Sequence, residues 1–107
     1  MNESPKFAVI GGGSWATAIA KMLCVNLTEI AWYMRNESAI EHIKTHKHNP
    51  NYLSSVEFDI TKLRLTSDIN EAVAYADYII YSYQKYSFLH DIYVHLINKN
   101  ASNAFCF

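Results

Sequence analysis

An open, mostly parallel, doubly wound α/β sheet is the fold this sequence predicts, and three observations predict it. A short apolar run, Phe7 to Ile10, stops at three glycines, Gly11 to Gly13. A helix-period segment opens directly behind them, and β-compatible and helix-period segments alternate from there on. Strands joined in this way cross over right-handedly, so helices cover both faces of the sheet.

Each element has its own justification. Phe7-Ala8-Val9-Ile10 is continuously apolar, as a buried parallel strand is before a tight turn. From Ser14, the residues Trp15, Ala18, Ile19, Met22 and Leu23 recur at three and four, which places them on one helical stripe that Asn26 and Leu27 end. Glu29 to Met34 is a second strand, completing a β-α-β unit of about thirty residues. Asn36 or Ser38 caps a short helix with Ala39, Ile40 and Ile43 on one face, terminated by Asn49-Pro50. Asn51 to Thr61 has no period and reads as a connecting loop, followed by a short alternating strand, Lys62 to Thr66. Asp68 with Glu71 resembles a capping box ahead of Ile69, Ala72, Val73 and Ala76, and Tyr78 to Tyr81 is a further strand. Leu89, Ile92, Tyr93, Leu96 and Ile97 predict a last helix over about Tyr86 to Asn98. Asn100 to Phe107 has no partner element and no stop signal, so the chain reads as truncated.

Composition narrows the function classes. The 107 residues suit one domain with one modest core. Nine Lys and Arg against ten Asp and Glu give a formal net charge of -1, which argues against a nucleic-acid partner or attraction to an anionic membrane. No signal peptide and no apolar run approaching the ~20 residues of a membrane span is present, and the expected setting is cytoplasmic. Cys24 and Cys106 are too few and too far apart for a disulfide scaffold or a cysteine zinc site.

Gly11-Gly12-Gly13-Ser14-Trp15-Ala16 satisfies the G-x-G-x-x-G/A fingerprint of a Rossmann-like dinucleotide site, in the strand-to-helix context that makes the pattern informative. Gly11 permits the sharp turn, Gly13 removes the side chain that would keep a pyrophosphate from the backbone, and Ala16 lets the helix lie close to the sheet. The first-turn N–H groups, with about half a positive charge from the helix dipole, then face the phosphates. A plain turn without ligand is the alternative. The second strand ends in Arg35-Asn36, where an NAD-preferring fold commonly places a carboxylate for the ribose hydroxyls. A guanidinium suits a 2'-phosphate, so NADPH is expected over NADH, with Arg35 as its reader.

The run Val9 to Ala20, with Gly13-Ser14-Trp15-Ala16-Thr17-Ala18, resembles the opening of the bacterial NAD(P)-dependent glycerol-3-phosphate dehydrogenases. Trp32 to Asn36, the N-x-x-Y-L loop Asn49 to Leu53, Ser67 to Ala72 and Ala76 to Ile80 follow the same family's order, so the likeness covers about Lys6 to Ile80. The resemblance implies that Ser14 and Trp15 contact cofactor phosphates and that Arg35, with Asn36, meets the adenosine 2' end. It also implies interconversion of sn-glycerol 3-phosphate and dihydroxyacetone phosphate by hydride transfer in a cytoplasmic homodimer. Residues 81–107 depart from the pattern: Tyr81 to Ser87 stands where the family has an apolar-Pro-Ser segment, and Lys85 matches no family lysine motif. The family's catalytic lysines and helical substrate domain lie beyond Phe107, so no residue is assigned to catalysis, and the chain alone is expected to bind cofactor weakly and to be inactive. The competing class is a non-catalytic nucleotide-binding or sensing module, with a plain structural domain third.

Two other constellations have bland readings. His42 and His46 would share a helical face as metal ligands, but Lys44 and Lys47 lie between them and His48, and a solvated helix end is the expectation, with no metal. Of the tyrosines between Tyr75 and Tyr93, periodicity assigns Tyr93 and either Tyr78 or Tyr81 to the core.

Overall fold

The computed structural model describes residues 5–82 and 104–106. Strand β1 (Phe7–Ile10) leads into α1 (Ser14–Asn26), β2 (Ile30–Tyr33) and α2 (Glu37–His46). After a single 3-10 turn (Ile60–Lys62) come β3 (Leu63–Thr66), α3 (Ile69–Tyr75) and β4 (Tyr78–Tyr81), with β5 (Ala104–Cys106) near the end of the chain. Among the described residues all pairings are parallel and five strands lie in the order β3-β2-β1-β4-β5. The doubly wound expectation holds, and the order reverses beside β1, where such sheets open a ligand crevice.

Strand alternation divides the core into two layers. Val9, Ile30, Trp32 and Ile80 face α1 and α2, packing with Ile19, Ala20, Cys24, Ile40 and Ile43. Ala8, Ile10, Ala31, Tyr33 and Ile79 face the other way, onto Ala72, Val73 and Ala76 at α3. The tight layer under α1 corrects the expected stripe. Its buried residues are Ala16, Thr17, Ile19, Ala20 and Cys24, whereas Trp15 and Met22 are 68% and 57% exposed. Small residues at 16 and 20 allow close approach to the sheet, and that contact outweighs the larger area that Trp15 and Met22 would have buried.

Helix ends follow local chemistry. Asn36 caps α2, its Oδ1 accepting from the Ser38 and Ala39 amides at 2.9 and 3.3 Å, and Lys47 ends the helix in the left-handed region at φ 66°. At α3 the expected reciprocal box is replaced by a relay. Asp68 caps Asn70 at 2.9 Å, but its own N–H donates to Thr66 Oγ1 at 3.0 Å, and that hydroxyl donates to Glu71 Oε2 at 3.1 Å.

The loop between α2 and the 3-10 turn is more ordered than its lack of period suggests. Phe58 N–H donates to the Lys47 carbonyl at 2.8 Å, and the Phe58 ring is buried against Trp32, with centroids 5.1 Å apart. A second correction concerns the tail. Ala104, Phe105 and Cys106 pair with Ile79, Ile80 and Tyr81, so the tail does have a partner element. Three residues are too few to register as a strand in sequence, and the free edge of β4 supplies the missing half of the signal. Tyr78 is half-buried and stacks on Phe7 at 5.1 Å. The expected helix over Tyr86 to Asn98, Lys85, Tyr93 and the side chain of Tyr81 lie outside the described residues.

Candidate functional site

The site begins with the turn out of β1. Gly11 has φ +138°, and a Cβ there would stand 2.5 Å from the Ser82 carbonyl oxygen, so only glycine fits. The sheet ladders continue around the turn, Gly11 N–H donating to the Tyr33 carbonyl at 3.0 Å and Ser82 N–H to Ile10 at 2.9 Å. At Gly13 the situation is opposite: a Cβ would meet nothing within 4 Å, because the residue faces open space.

Helix α1 starts bare. Gly13 is its N-cap without a side-chain bond, and no acidic residue stands in its first turn. Among the described residues no acceptor takes the N–H groups of Gly12, Gly13, Ser14, Trp15 or Ala16. The first intrahelical bond inward is Thr17 N–H to the Gly13 carbonyl at 2.9 Å. Orphan donors backed by a helix dipole are the arrangement in which helix N-termini accept anions.

Gly12 to Trp15 border a cleft of about 690 Å³ at the carboxyl ends of β1, β2 and β4. Gly12 to Trp15 form one wall, Met34, Arg35, Asn36 and Ala39 another, and Asn49, Asn51 and Tyr52 a third, with Ser82 closing the β4 side. The volume falls within the range of small-molecule and cofactor pockets. Of the residues singled out in the sequence, Gly13, Ser14, Trp15, Arg35 and Asn36 line this cleft together. Gly11 and Ala16 lie buried behind it, shaping the turn rather than touching its contents. Asn36 is partly committed, since its Oδ1 caps α2.

Sequence reasoning missed three residues behind the turn: Thr17, Trp32 and Asn49. Trp32 Nε1 donates to the Gly11 carbonyl at 2.6 Å, Thr17 Oγ1 donates to the Gly13 carbonyl at 2.6 Å, and Asn49 Nδ2 donates to the Gly12 carbonyl at 3.1 Å. A polar residue four after Gly13 on an otherwise apolar helix face was the available signal for Thr17. Asn49 was visible only as a helix terminator and a loop-motif position.

The histidines stand apart from the cleft lining. His42 packs against His46 and His48, with ring centroids 4.5 and 4.8 Å away, and its Nε2 is buried without a hydrogen-bond partner. Among the described residues no group of three His, Cys, Asp or Glu side chains is arranged to hold a metal ion. Burial, then the neighbouring His46 and His48, hold the His42 imidazole below its ordinary pKa of 6.5. The folded chain therefore binds fewer protons there than the unfolded one. Its contribution is fully present above pH 6.5 and is lost as pH falls from there toward the folded value. Thermal unfolding followed from pH 7.5 to 5.5 is expected to show a falling midpoint, with a shallower fall in His42→Gln; an unchanged slope in that variant contradicts the assignment. Cys24 is buried, and burial pushes its thiol up, away from thiolate chemistry.

Comparison with known proteins agrees with this geometry. Residues 6–101 match the family model described as the NAD-dependent glycerol-3-phosphate dehydrogenase N-terminus, reaching past the Lys6 to Ile80 segment that carries the sequence motifs. The glycerol-3-phosphate dehydrogenase (NAD(P)+) of Tropheryma whipplei is 43% identical over 74 residues, covering 69% of this chain and 21% of that protein. Its counterpart in Teredinibacter turnerae is 36% identical over 88 residues, 82% of this chain and 26% of that protein. The chain thus spans roughly a fifth to a quarter of the curated relatives it matches. Among solved structures, the glycerol-3-phosphate dehydrogenase of Coxiella burnetii superposes with a TM-score of 0.75 at 19% identity, covering 96% of this chain and 31% of that one, which speaks for the fold. That of Dunaliella salina gives 0.72 at 23% identity, over 98% and 21%. Among the described residues no helix is long and apolar enough to cross a membrane. The glycine turn, the sheet order and the match along most of the sequence converge, and the chain belongs to the NAD-dependent glycerol-3-phosphate dehydrogenase family, corresponding to its N-terminal part.

Proposed function

We propose that this chain is the NAD(P)-binding domain of an sn-glycerol-3-phosphate dehydrogenase. The observation that carries the reading is the row of unpartnered amides from Gly12 to Trp15 opening onto the cleft at the end of β1. A pyrophosphate fits that row: bare donors, open space at Gly13 and no carboxylate in the first turn favour a doubly negative linker. Gly11 and Ala16 shape the turn, Gly13, Ser14 and Trp15 meet the phosphates, and Arg35 with Asn36 receives the adenosine ribose. NAD(P) supplies hydride-transfer chemistry when bound. The chain's own residues bind and orient it. In the full-length protein the substrates are glycerol 3-phosphate and dihydroxyacetone phosphate, and the setting is a cytoplasmic homodimer. A net charge of -1 gives nucleic acid no place in this reading.

Arg35 favours NADPH over NADH. It lies on the cleft wall at the end of β2, where a guanidinium makes charge-assisted bonds to a 2'-phosphate. Each such bond contributes about 1.5–3 kcal/mol, roughly ten- to a hundredfold in affinity. Calorimetric titration is expected to show tighter binding of NADPH, and Arg35→Ala is expected to weaken NADPH at least tenfold while leaving NADH within about threefold. Equal losses remove the phosphate-reading role. Absence of binding by either cofactor removes the cofactor reading itself.

A further inference from the structure

We infer that Asn49 is a positioning residue that aims the anion-binding amides, acting with Thr17 and Trp32 through the opposite side of the same peptide planes. In a trans peptide the C=O of one residue and the N–H of the next point in opposite directions. Fixing a carbonyl on the protein side therefore turns the following N–H outward. Here three successive carbonyls are fixed. Gly11 C=O is held by Trp32 Nε1, Gly12 C=O by Asn49 Nδ2, and Gly13 C=O by Thr17 Oγ1 and by the Thr17 amide. The N–H groups of Gly12, Gly13 and Ser14 are thereby directed away from those partners, toward the cleft they line.

Asn49 holds the centre of this arrangement. It is 1% exposed, and all four hydrogen-bonding positions of its amide are used. Nδ2 donates to the Gly12 carbonyl at 3.1 Å and to Thr17 Oγ1 at 2.9 Å, while Oδ1 accepts from the Asn51 and Tyr52 amides at 2.9 and 3.3 Å. The Thr17 hydroxyl accepts from Asn49 and donates its own hydrogen bond to Gly13 C=O at 2.6 Å. The order of donors fixes which end of the Asn49 amide faces the glycines. One buried side chain thus ties the Asn49 to Tyr52 wall of the cleft to the glycine turn.

This inference rests on the cofactor reading, and its test separates the two. The probes are ADP-ribose, which carries the pyrophosphate, and adenosine, which does not, titrated against wild type, Asn49→Leu and Thr17→Val. Thr17 is fully buried, and valine keeps its shape while removing the hydroxyl. Thermal unfolding identifies which variants are folded. Folded variants are expected to bind ADP-ribose at least tenfold more weakly and adenosine within twofold of wild type. If Asn49→Leu does not fold, Thr17→Val decides. ADP-ribose affinity within twofold of wild type in a folded variant overturns the positioning role and leaves the cofactor reading standing. Parallel losses for both probes also overturn it, because a general loosening of the fold would then be the cause. Wild type that binds adenosine but gains nothing from the pyrophosphate overturns both.

Discussion

Gly11→Ala is expected to destabilise the chain by on the order of 2–6 kcal/mol and to abolish cofactor binding with it. Two costs combine. The backbone at φ +138° is strained for any residue with a Cβ, by about 1–3 kcal/mol. The added methyl would also stand 2.5 Å from the Ser82 carbonyl and 3.3 Å from the Ala16 Cβ. Neither neighbour yields easily. Ser82 is fixed to β1 by its N–H bond to Ile10 at 2.9 Å, and Ala16 is fully buried in the seam between helix and sheet. Overpacking of this kind typically costs a further 1–3 kcal/mol. Against the 5–15 kcal/mol total of an ordinary domain, such a loss is large. Denaturant unfolding monitored by circular dichroism checks it, and a midpoint within error of wild type contradicts the account of the turn.

Gly13→Asp, two residues further on, is expected to do the reverse: preserve the fold and eliminate binding. Gly13 has φ −82°, which any residue adopts, and a Cβ there meets nothing within 4 Å. Aspartate is a better N-cap than glycine by a few tenths of a kcal/mol, and its charge gains about 0.3–1 kcal/mol from the helix dipole. Stability therefore holds or rises slightly. The introduced carboxylate accepts from the same first-turn amides that the pyrophosphate needs, and it repels that anion by several kcal/mol, a loss of roughly a hundredfold or more. Calorimetry with NADPH and a thermal melt on the same sample test both halves. Retained binding, or a melt lowered as far as in Gly11→Ala, sinks the division of labour between the two glycines.

The contrast between these neighbours marks the limit of what was legible in sequence. The fingerprint Gly11 to Ala16, its position between strand and helix, and four of the five strands follow from patterns local to a few residues. Arg35 and Asn36 were legible for the same reason, as the end of a strand whose place in the unit is fixed. What was not legible depends on contacts distant in sequence. Asn49 reaches Gly12 across 37 positions and Trp32 reaches Gly11 across 21, so neither bond has a local signature. The face of α1 was misread because hydrophobicity favours burying Trp15 and Met22, whereas the separation between helix and sheet admits only the small set at Ala16 and Ala20. Strand β5 exists because β4 offers it an edge.

Under the proposed function, backbone amides at the mouth of α1 hold the cofactor's pyrophosphate. Titrating isotopically labelled protein with NADPH while following individual amide resonances addresses it directly. Gly12, Gly13 and Ser14 are expected to show the largest saturable shifts, with Arg35 following and α3 unmoved. Saturable NADPH binding that leaves those three amides where they were contradicts it.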